Sequence, residues 1–264
     1  MKYLFSAEGI DALTALHPAE TLFGFDYDGN LAPLVDVPSE ACMPALTASR
    51  LAGLSSSART AIFSGRSIED LKKRTAGLPL HLVGNHGLEG LPRHRGSLES
   101  AAQACRTWKG QLQQRLPKLG TPELQMEDKT YSLAIHLRVK RGSPLKREVL
   151  AATESLLPPA RLIGGKQVVN LVPVGAPNKG FALTELLRFF GLSKALYVGD
   201  DETDEDVFSL LDPRIVGVRV GRRRRGSDAG FYIRNENQMD HLLAVLLEIH
   251  RHHAMSDDGD LIPT

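Results

Sequence analysis

Thr21-Leu22-Phe23-Gly24-Phe25-Asp26-Tyr27-Asp28-Gly29 is the stretch that decides the fold. A short apolar run that breaks into two aspartates and a glycine predicts a buried strand, with polar groups delivered at its carboxyl end. Other stretches repeat the design. Arg59-Thr60-Ala61-Ile62-Phe63 runs into Ser64-Gly65-Arg66, and Leu80-His81-Leu82-Val83 runs into Gly84-Asn85-His86-Gly87. Later, Ala195-Leu196-Tyr197-Val198 runs into Gly199-Asp200-Asp201. Helical spacing fills the intervals over Glu8–Leu16, Pro44–Leu54, Ser67–Ala76 and Lys179–Phe190, with Ser67 placed to cap its helix three residues before Asp70. Strand and helix in alternation predict an α/β fold, a doubly wound parallel sheet. In such sheets ligands bind at the carboxyl ends of the strands, so these distant clusters can converge.

Outward from this frame the pattern changes. Leu98–Leu116 reads as a long helix, Glu123–Glu127 and Ser132–Arg138 as strands, Pro144–Leu157 as a helix, and Arg161–Ile163 and Gln167–Val172 as another strand pair. This is an α+β module inserted into a split α/β core, with the core at 1–91 and 175–264 and the insert at 92–174. The alternation then resumes with a helix over Thr203–Leu211, a strand over Ile215–Val220 and a closing helix over Gln238–His250. The tail from Ser256 is expected to fray.

Composition narrows the function. The 264 residues carry 32 Lys and Arg against 31 Asp and Glu, so no global field attracts nucleic acid or an anionic membrane. Arg222-Arg223-Arg224-Arg225 lacks interleaved aromatics and reads as a solvated loop. No stretch approaches the ~20 apolar residues of a membrane span, and the N-terminus does not read as a signal peptide. The two cysteines, Cys42 and Cys105, match no metal motif and are expected to be free thiols. A cytoplasmic monomer without nucleic-acid or membrane partners is the expectation. Carboxylates gathered at a sheet mouth repel one another unless a cation sits among them, and hard oxygen ligands suit Mg²⁺. Taken singly, Asp26 and Asp28 read equally well as turn residues, Ser64 as a loop hydroxyl and Lys179 as an exposed helix lysine.

Together these clusters resemble the four signatures of haloacid-dehalogenase-like phosphatases. They occur in the family's order: Phe25–Gly29, Ser64, Lys179, and Gly199–Asp204. The resemblance implies that Asp26 is the nucleophile and that Asp28 moves the proton. Ser64 and Lys179 would hold phosphate oxygens. Asp26, the Asp28 backbone carbonyl and Asp200 would hold Mg²⁺, with Asp201 and Asp204 as further metal ligands or supports. Longer stretches are similar to the trehalose-6-phosphate phosphatases within that superfamily: Phe25–Pro33, Ser64–Ser67, Gly84–Glu89, Glu127–Lys129, His136–Arg138, Gly165-Lys166 and Asn178–Gly180. This narrower resemblance implies a sugar-phosphate substrate, read by Gly65, Arg66, Asn85, His86, Glu89, Glu127, Lys129, His136, Arg138, Lys166 and Asn170. Two positions depart from it. Asn30 stands where the family usually has Thr, and Asn170 where it usually has Glu. Alternatives are a phosphatase of another sugar or polyol phosphate (mannosyl-glycerate or glucosyl-glycerol type), a phosphotransferase or mutase on the same scaffold, and a catalytically silent sugar-phosphate-binding module.

Overall fold

The computed structural model describes residues 1–35, 40–75, 77–92, 94–139, 143–165, 167–221 and 226–259. The chain divides into two units, Met1–Pro92 with Asn178–Thr264, and Arg93–Pro177.

The first unit is a seven-stranded sheet in the order β1 (Lys2–Tyr3), β11 (Phe231–Ile233), β10 (Ile215–Val220), β9 (Lys194–Gly199), β2 (Thr21–Asp26), β3 (Thr60–Phe63), β4 (His81–Val83). Every pairing is parallel. Such strands are covered on both faces, and all six residues of β2 are buried. On one face Phe23, Phe25, Leu196 and Val198 pack in a cluster that includes Leu13 of α1 (Ala7–Thr14), Leu51 and Leu54 of α2 (Ala45–Ser57), and Leu242, Leu243 and Leu246 of α8 (Met239–Gly259). On the other, Leu22, Phe63 and Tyr197 pack with Leu183, Leu186 and Leu187 of α6 (Lys179–Phe190) and Phe208 of α7 (Glu205–Phe208). Each such large side chain contributes ~1.5–3 kcal/mol of burial. The adjoining β2, β3 and β9 are thus among the most deeply buried parts of the unit. Chain order runs to opposite sides from β2, to β3 on one flank and β9 on the other. Asp26 therefore ends a strand at a topological switch point, where open sheets bind ligands.

The second unit is a four-stranded antiparallel sheet in the order β5 (Leu124–Asp128), β6 (Leu133–Leu137), β8 (Val168–Pro173), β7 (Ala160–Gly164). One face, with Leu124, Leu133, Ile135, Leu137, Val169 and Leu171, packs in a cluster with Trp108 and Leu112 of α4 (Arg95–Arg115) and Val149 of α5 (Pro144–Glu154). The period-2 alternation places Gln125, Glu127, Ala134, His136, Val168 and Asn170 on the other face.

Several expectations need correction. The helix expected over Thr203–Leu211 is a 3₁₀ turn at Glu202–Asp204 followed by the four-residue α7. Leu211 has φ +49°, and Asp212 precedes Pro213, a position that disfavours helix. The closing helix runs on to Gly259, past the His250 end expected for it, and the rest of the tail, 260–264, lies outside the described residues. Strands β1 and β11 were not anticipated; at two and three residues they are too short to show a period. Cys42 and Cys105 are free. Among the described residues no helix is long and apolar enough to cross a membrane. Arg222–Arg225 lies outside the described residues.

Candidate active site

The site is assembled by strand register. Asp26 pairs with Phe63, so Ser64 stands one residue further along the neighbouring strand. Phe25 pairs with Val198, so Asp200 follows at the corresponding end of β9. Asp26 leads into a tight turn closed by hydrogen bonds from the Ala32 amide to the Tyr27 carbonyl (2.9 Å) and from the Gly29 amide to the Ala32 carbonyl (2.8 Å). Gly29 has φ +80°, and a Cβ there would lie 2.5 Å from Asp200 Oδ2. The position must be glycine for both reasons: the left-handed backbone, and the close approach of Asp200.

Around Asp26 nearly every charge is buried and answered. Lys179, 2% exposed, donates from Nζ to Asp26 Oδ1 and to Asp204 Oδ1, both at 2.8 Å. Asn178 caps α6 by accepting from the Phe181 amide, which fixes where the helix begins and so where Lys179 points. Asp204 also accepts from the Tyr197 hydroxyl (2.7 Å) and, on Oδ2, from the Asp201 amide (2.8 Å). Burial by itself would push the Lys179 ammonium down, but Asp204 and then Asp26 outweigh it and hold the group above its ordinary range. Burial pushes the Asp26 carboxyl well up; Lys179 opposes, and Asp204 and Asp200 add to the rise. Asp200 is pushed up to about 7, chiefly by burial and then by Asp204.

Those raised carboxyls mark a site short of positive charge. Asp26, Asp200 and Asp204 place carboxylate oxygens within 4.8 Å of one another. Asp204 has both oxygens engaged by Lys179, Tyr197 and Asp201, so it serves as the anchor of Lys179. Asp26 Oδ2, Asp200 Oδ1 and the Asp28 backbone carbonyl instead converge on one point, the Asn30 side-chain nitrogen. Three hard oxygens facing a common point fit a divalent cation such as Mg²⁺. Asp201 turns away from them to cap the 3₁₀ turn, accepting from the Glu202 amide.

The Asp28 carboxylate is gripped by Arg66, from Nε (2.7 Å) and Nη2 (2.6 Å), in the two-point geometry that makes such pairs strong. Arg66 is oriented in turn by Asp70, which also receives Arg74. Ser64 is buried, and its hydroxyl accepts from the Arg66 amide at 3.1 Å. Gly65 lies against the His86 ring, where a Cβ would come within 2.4 Å of Cε1. Asn85 donates to Glu89 Oε2 (2.8 Å), which also accepts from the Ile68 amide (2.9 Å) at the start of α3 (Ile68–Arg74). In this arrangement Asn85 and Glu89 brace the loop after β4.

In the second unit, His136 Nε2 lies 2.9 Å from Glu127 Oε2, and Lys129 Nζ lies 3.4 Å from Asn170 Oδ1. Arg138 is exposed just past β6. These four groups and Arg138 are carried by the β5–β6–β8 part of the sheet, whereas Lys166 lies outside the described residues. Three contributors escaped the sequence reading: Tyr197, Arg219 and the carboxylate-bridging part of Asn30. Arg219, 7% exposed, binds Glu205 Oε1 (2.7 Å) and the Asp200 backbone carbonyl. A lone hydroxyl in apolar β9 and a lone charge in apolar β10 were the available signals, since a buried polar group needs a partner.

Residues 24–230 match the family model described as trehalose-phosphatase. The chain is similar to the trehalose-phosphate phosphatase of Mycobacterium ulcerans (strain Agy99), 30% identical over 231 residues that cover 83% of this chain and 58% of that protein. It is similar also to the probable trehalose-phosphate phosphatase H of Arabidopsis thaliana, 28% identical over 247 residues, covering 84% and 70%. The chain thus spans roughly two thirds of the length of these relatives. Among solved structures, the C-terminal domain of the C. albicans trehalose-6-phosphate phosphatase superposes with a TM-score of 0.73 at 22% identity, covering 94% of this chain and 99% of that one. A trehalose-6-phosphate phosphatase related protein superposes at 0.71 and 23%, covering 88% and 99%. Those structures bear on the fold; the family match spans most of the sequence, and by it this chain belongs to the trehalose-phosphatase family.

Proposed function

We propose that this chain hydrolyses trehalose 6-phosphate to trehalose and inorganic phosphate through a phosphorylated Asp26. The observation that carries the reading is a buried carboxylate, Asp26, at the switch point of a parallel sheet, gripped by Lys179 on one oxygen and turned with its other oxygen toward the point faced by Asp200. The family match supplies the substrate class.

In the first step an Asp26 carboxylate oxygen bonds to phosphorus as the bond from phosphorus to the sugar oxygen breaks. Asp28 gives its proton to that departing oxygen. In the second step water attacks the same phosphorus, Asp28 takes a proton from it, and the Asp26–phosphorus bond breaks. Lys179 and Ser64 offset the charge spread over the phosphoryl oxygens. Mg²⁺, held by Asp26, Asp200 and the Asp28 carbonyl, would neutralise charge that otherwise keeps a carboxylate away from a phosphate. Arg66 holds both Asp28 oxygens, and an arriving dianionic phosphate competes for the guanidinium and so frees Asp28 for its task. We assign Met1–Pro92 with Asn178–Thr264 as the catalytic core and Arg93–Pro177 as the cap. Glu127, Lys129, His136, Arg138, Lys166 and Asn170 then serve as cap groups for sugar hydroxyls, with Gly65, Arg66, Asn85, His86 and Glu89 contributing from the core. The same reading has the protein acting as a cytoplasmic monomer.

Phosphate release across a panel of sugar phosphates, with and without Mg²⁺, tests the proposal. Trehalose 6-phosphate is expected to give the highest kcat/KM, with turnover lost on chelation. A large preference for glucose 6-phosphate or mannosyl-glycerate phosphate overturns the sugar assignment and leaves the chemistry. Absence of turnover over the whole panel overturns both.

A further inference from the structure

We propose that Asn30 is a built-in competitor for the divalent cation: its amide nitrogen fills the space among the three oxygens assigned to that cation and must leave when the cation binds. The inference rests on the cation site described under Proposed function. Asn30 Nδ2 donates to Asp200 Oδ1 at 2.7 Å, lies 3.2 Å from Asp26 Oδ2 and 3.4 Å from the Asp28 carbonyl oxygen. All three acceptors are the atoms assigned to the cation. The orientation of the amide follows from chemistry, because the opposite one would set Oδ1 against three oxygens.

The amide is a poor substitute for an ion. It has two hydrogens for three acceptors, so only Asp200 receives a short bond while the other two oxygens share what remains. Its own Oδ1 is buried without a hydrogen-bond partner among the described residues, and the residue is 3% exposed. A cation at ~2.0–2.1 Å from the same oxygens takes the lone pairs at which the amide hydrogens point. The cation and the amide N–H groups cannot occupy that space together, so cation binding includes the work of moving Asn30 aside. Threonine at this position would have a single hydroxyl hydrogen on a shorter side chain and could not bridge three acceptors. The amide thereby holds the three oxygens together without a cation, and the site needs more cation to fill.

Mn²⁺ titration of the EDTA-stripped full chain, with free Mn²⁺ read by electron paramagnetic resonance, tests this against Asn30→Ala and Asn30→Thr. Circular dichroism melts with and without Mn²⁺ establish that each variant folds. Asn30→Ala is expected to bind Mn²⁺ about tenfold more tightly than the natural chain, the penalty removed if the amide-out arrangement is only ~10% populated. Its cation-free melting temperature is expected to fall, with a larger rise on adding Mn²⁺. Asn30→Thr is expected to change in the same direction and stands in if the alanine variant does not fold. Equal or weaker Mn²⁺ binding by the folded variants overturns the inference and leaves the cation site standing. No Mn²⁺ binding by any of the three proteins overturns the cation site itself, and the inference with it.

Discussion

The mouth of the parallel sheet and the polar face of the antiparallel sheet are built from the same residue types and use them in opposite ways. At the first, Asp26, Lys179 and Asp204 are at most 5% exposed, and their charged atoms have fixed partners. On the second, the Glu127 side chain is 51% exposed and the His136 side chain 26%, and they lean on each other at 2.9 Å. Burial strengthens electrostatics by lowering the local dielectric, and it makes any unanswered charge costly. A group that must hold a nucleophile in place gains from such fixity. A face proposed to read sugar hydroxyls gains from exposure, because its groups can exchange water for ligand at small cost. Chemistry and recognition are therefore expected to respond differently to the same kind of substitution.

The largest effect is expected at Asp26, the nucleophile of the proposed mechanism. Asp26→Asn should lower the rate of phosphate release on the order of 10⁴-fold or more, the scale on which a member of a catalytic unit is lost. Residual turnover within tenfold of the natural chain would break the contrast at its centre.

Lys179→Met sharpens the comparison through stability. It leaves Asp26 and Asp204 buried without their cation, so urea denaturation should show a loss of ~3–5 kcal/mol. The corresponding change on the exposed face, Glu127→Gln, should leave the denaturation midpoint nearly unmoved, as surface ion pairs contribute ~0–1 kcal/mol. Similar losses from the two would mean that burial does not separate the regions.

On the polar face of the antiparallel sheet, proposed to read the sugar, the response should appear in substrate handling. Glu127→Ala and His136→Ala are each expected to lower kcat/KM about tenfold, the worth of one charge-assisted hydrogen bond. The loss should fall mainly on KM, with the melting temperature retained. A change confined to kcat would put these residues nearer the chemistry than proposed.

The smallest effect is expected at a buried imidazole of the first unit. His250 packs against Phe23, with Ser57 Oγ 3.2 Å from Nδ1, and burial pushes its pKa down to about 4. The unfolded chain then takes up its proton near pH 6.5 and the folded one only near pH 4, so stability is retained above 6.5 and lost as the pH falls between those values. The melting temperature should drop from pH 7 to pH 5, and His250→Phe should flatten part of that slope.

Much of the fold was legible along the chain. The apolar runs at β2, β3 and β9 ended where polar clusters began, and Ser67 accepts from the Asp70 amide as its spacing suggested. Helix α6 and strand β10 fall at the expected residues. The short strands β1 and β11 and the truncated helix after Asp204 escaped, because two or three residues carry no period and a left-handed Leu211 carries no sequence mark. For the site, the clusters were visible but their division of labour was not. Asp200 and Asp204 are both acidic residues just past one strand, yet one faces the convergence point of three oxygens and the other anchors Lys179.

By itself the sequence determined which segments are buried strands, where each hands over to polar residues, and that an insert of different periodicity interrupts the alternation. These are local properties, set by spacing within a few residues. Only the tertiary structure decided which of those polar groups meet: Lys179 across 153 residues to Asp26, Arg66 onto Asp28, and Asn30 across 170 residues to Asp200. Such meetings depend on strand register and on which rotamer the packing leaves open, and neither is written in the spacing of any one segment.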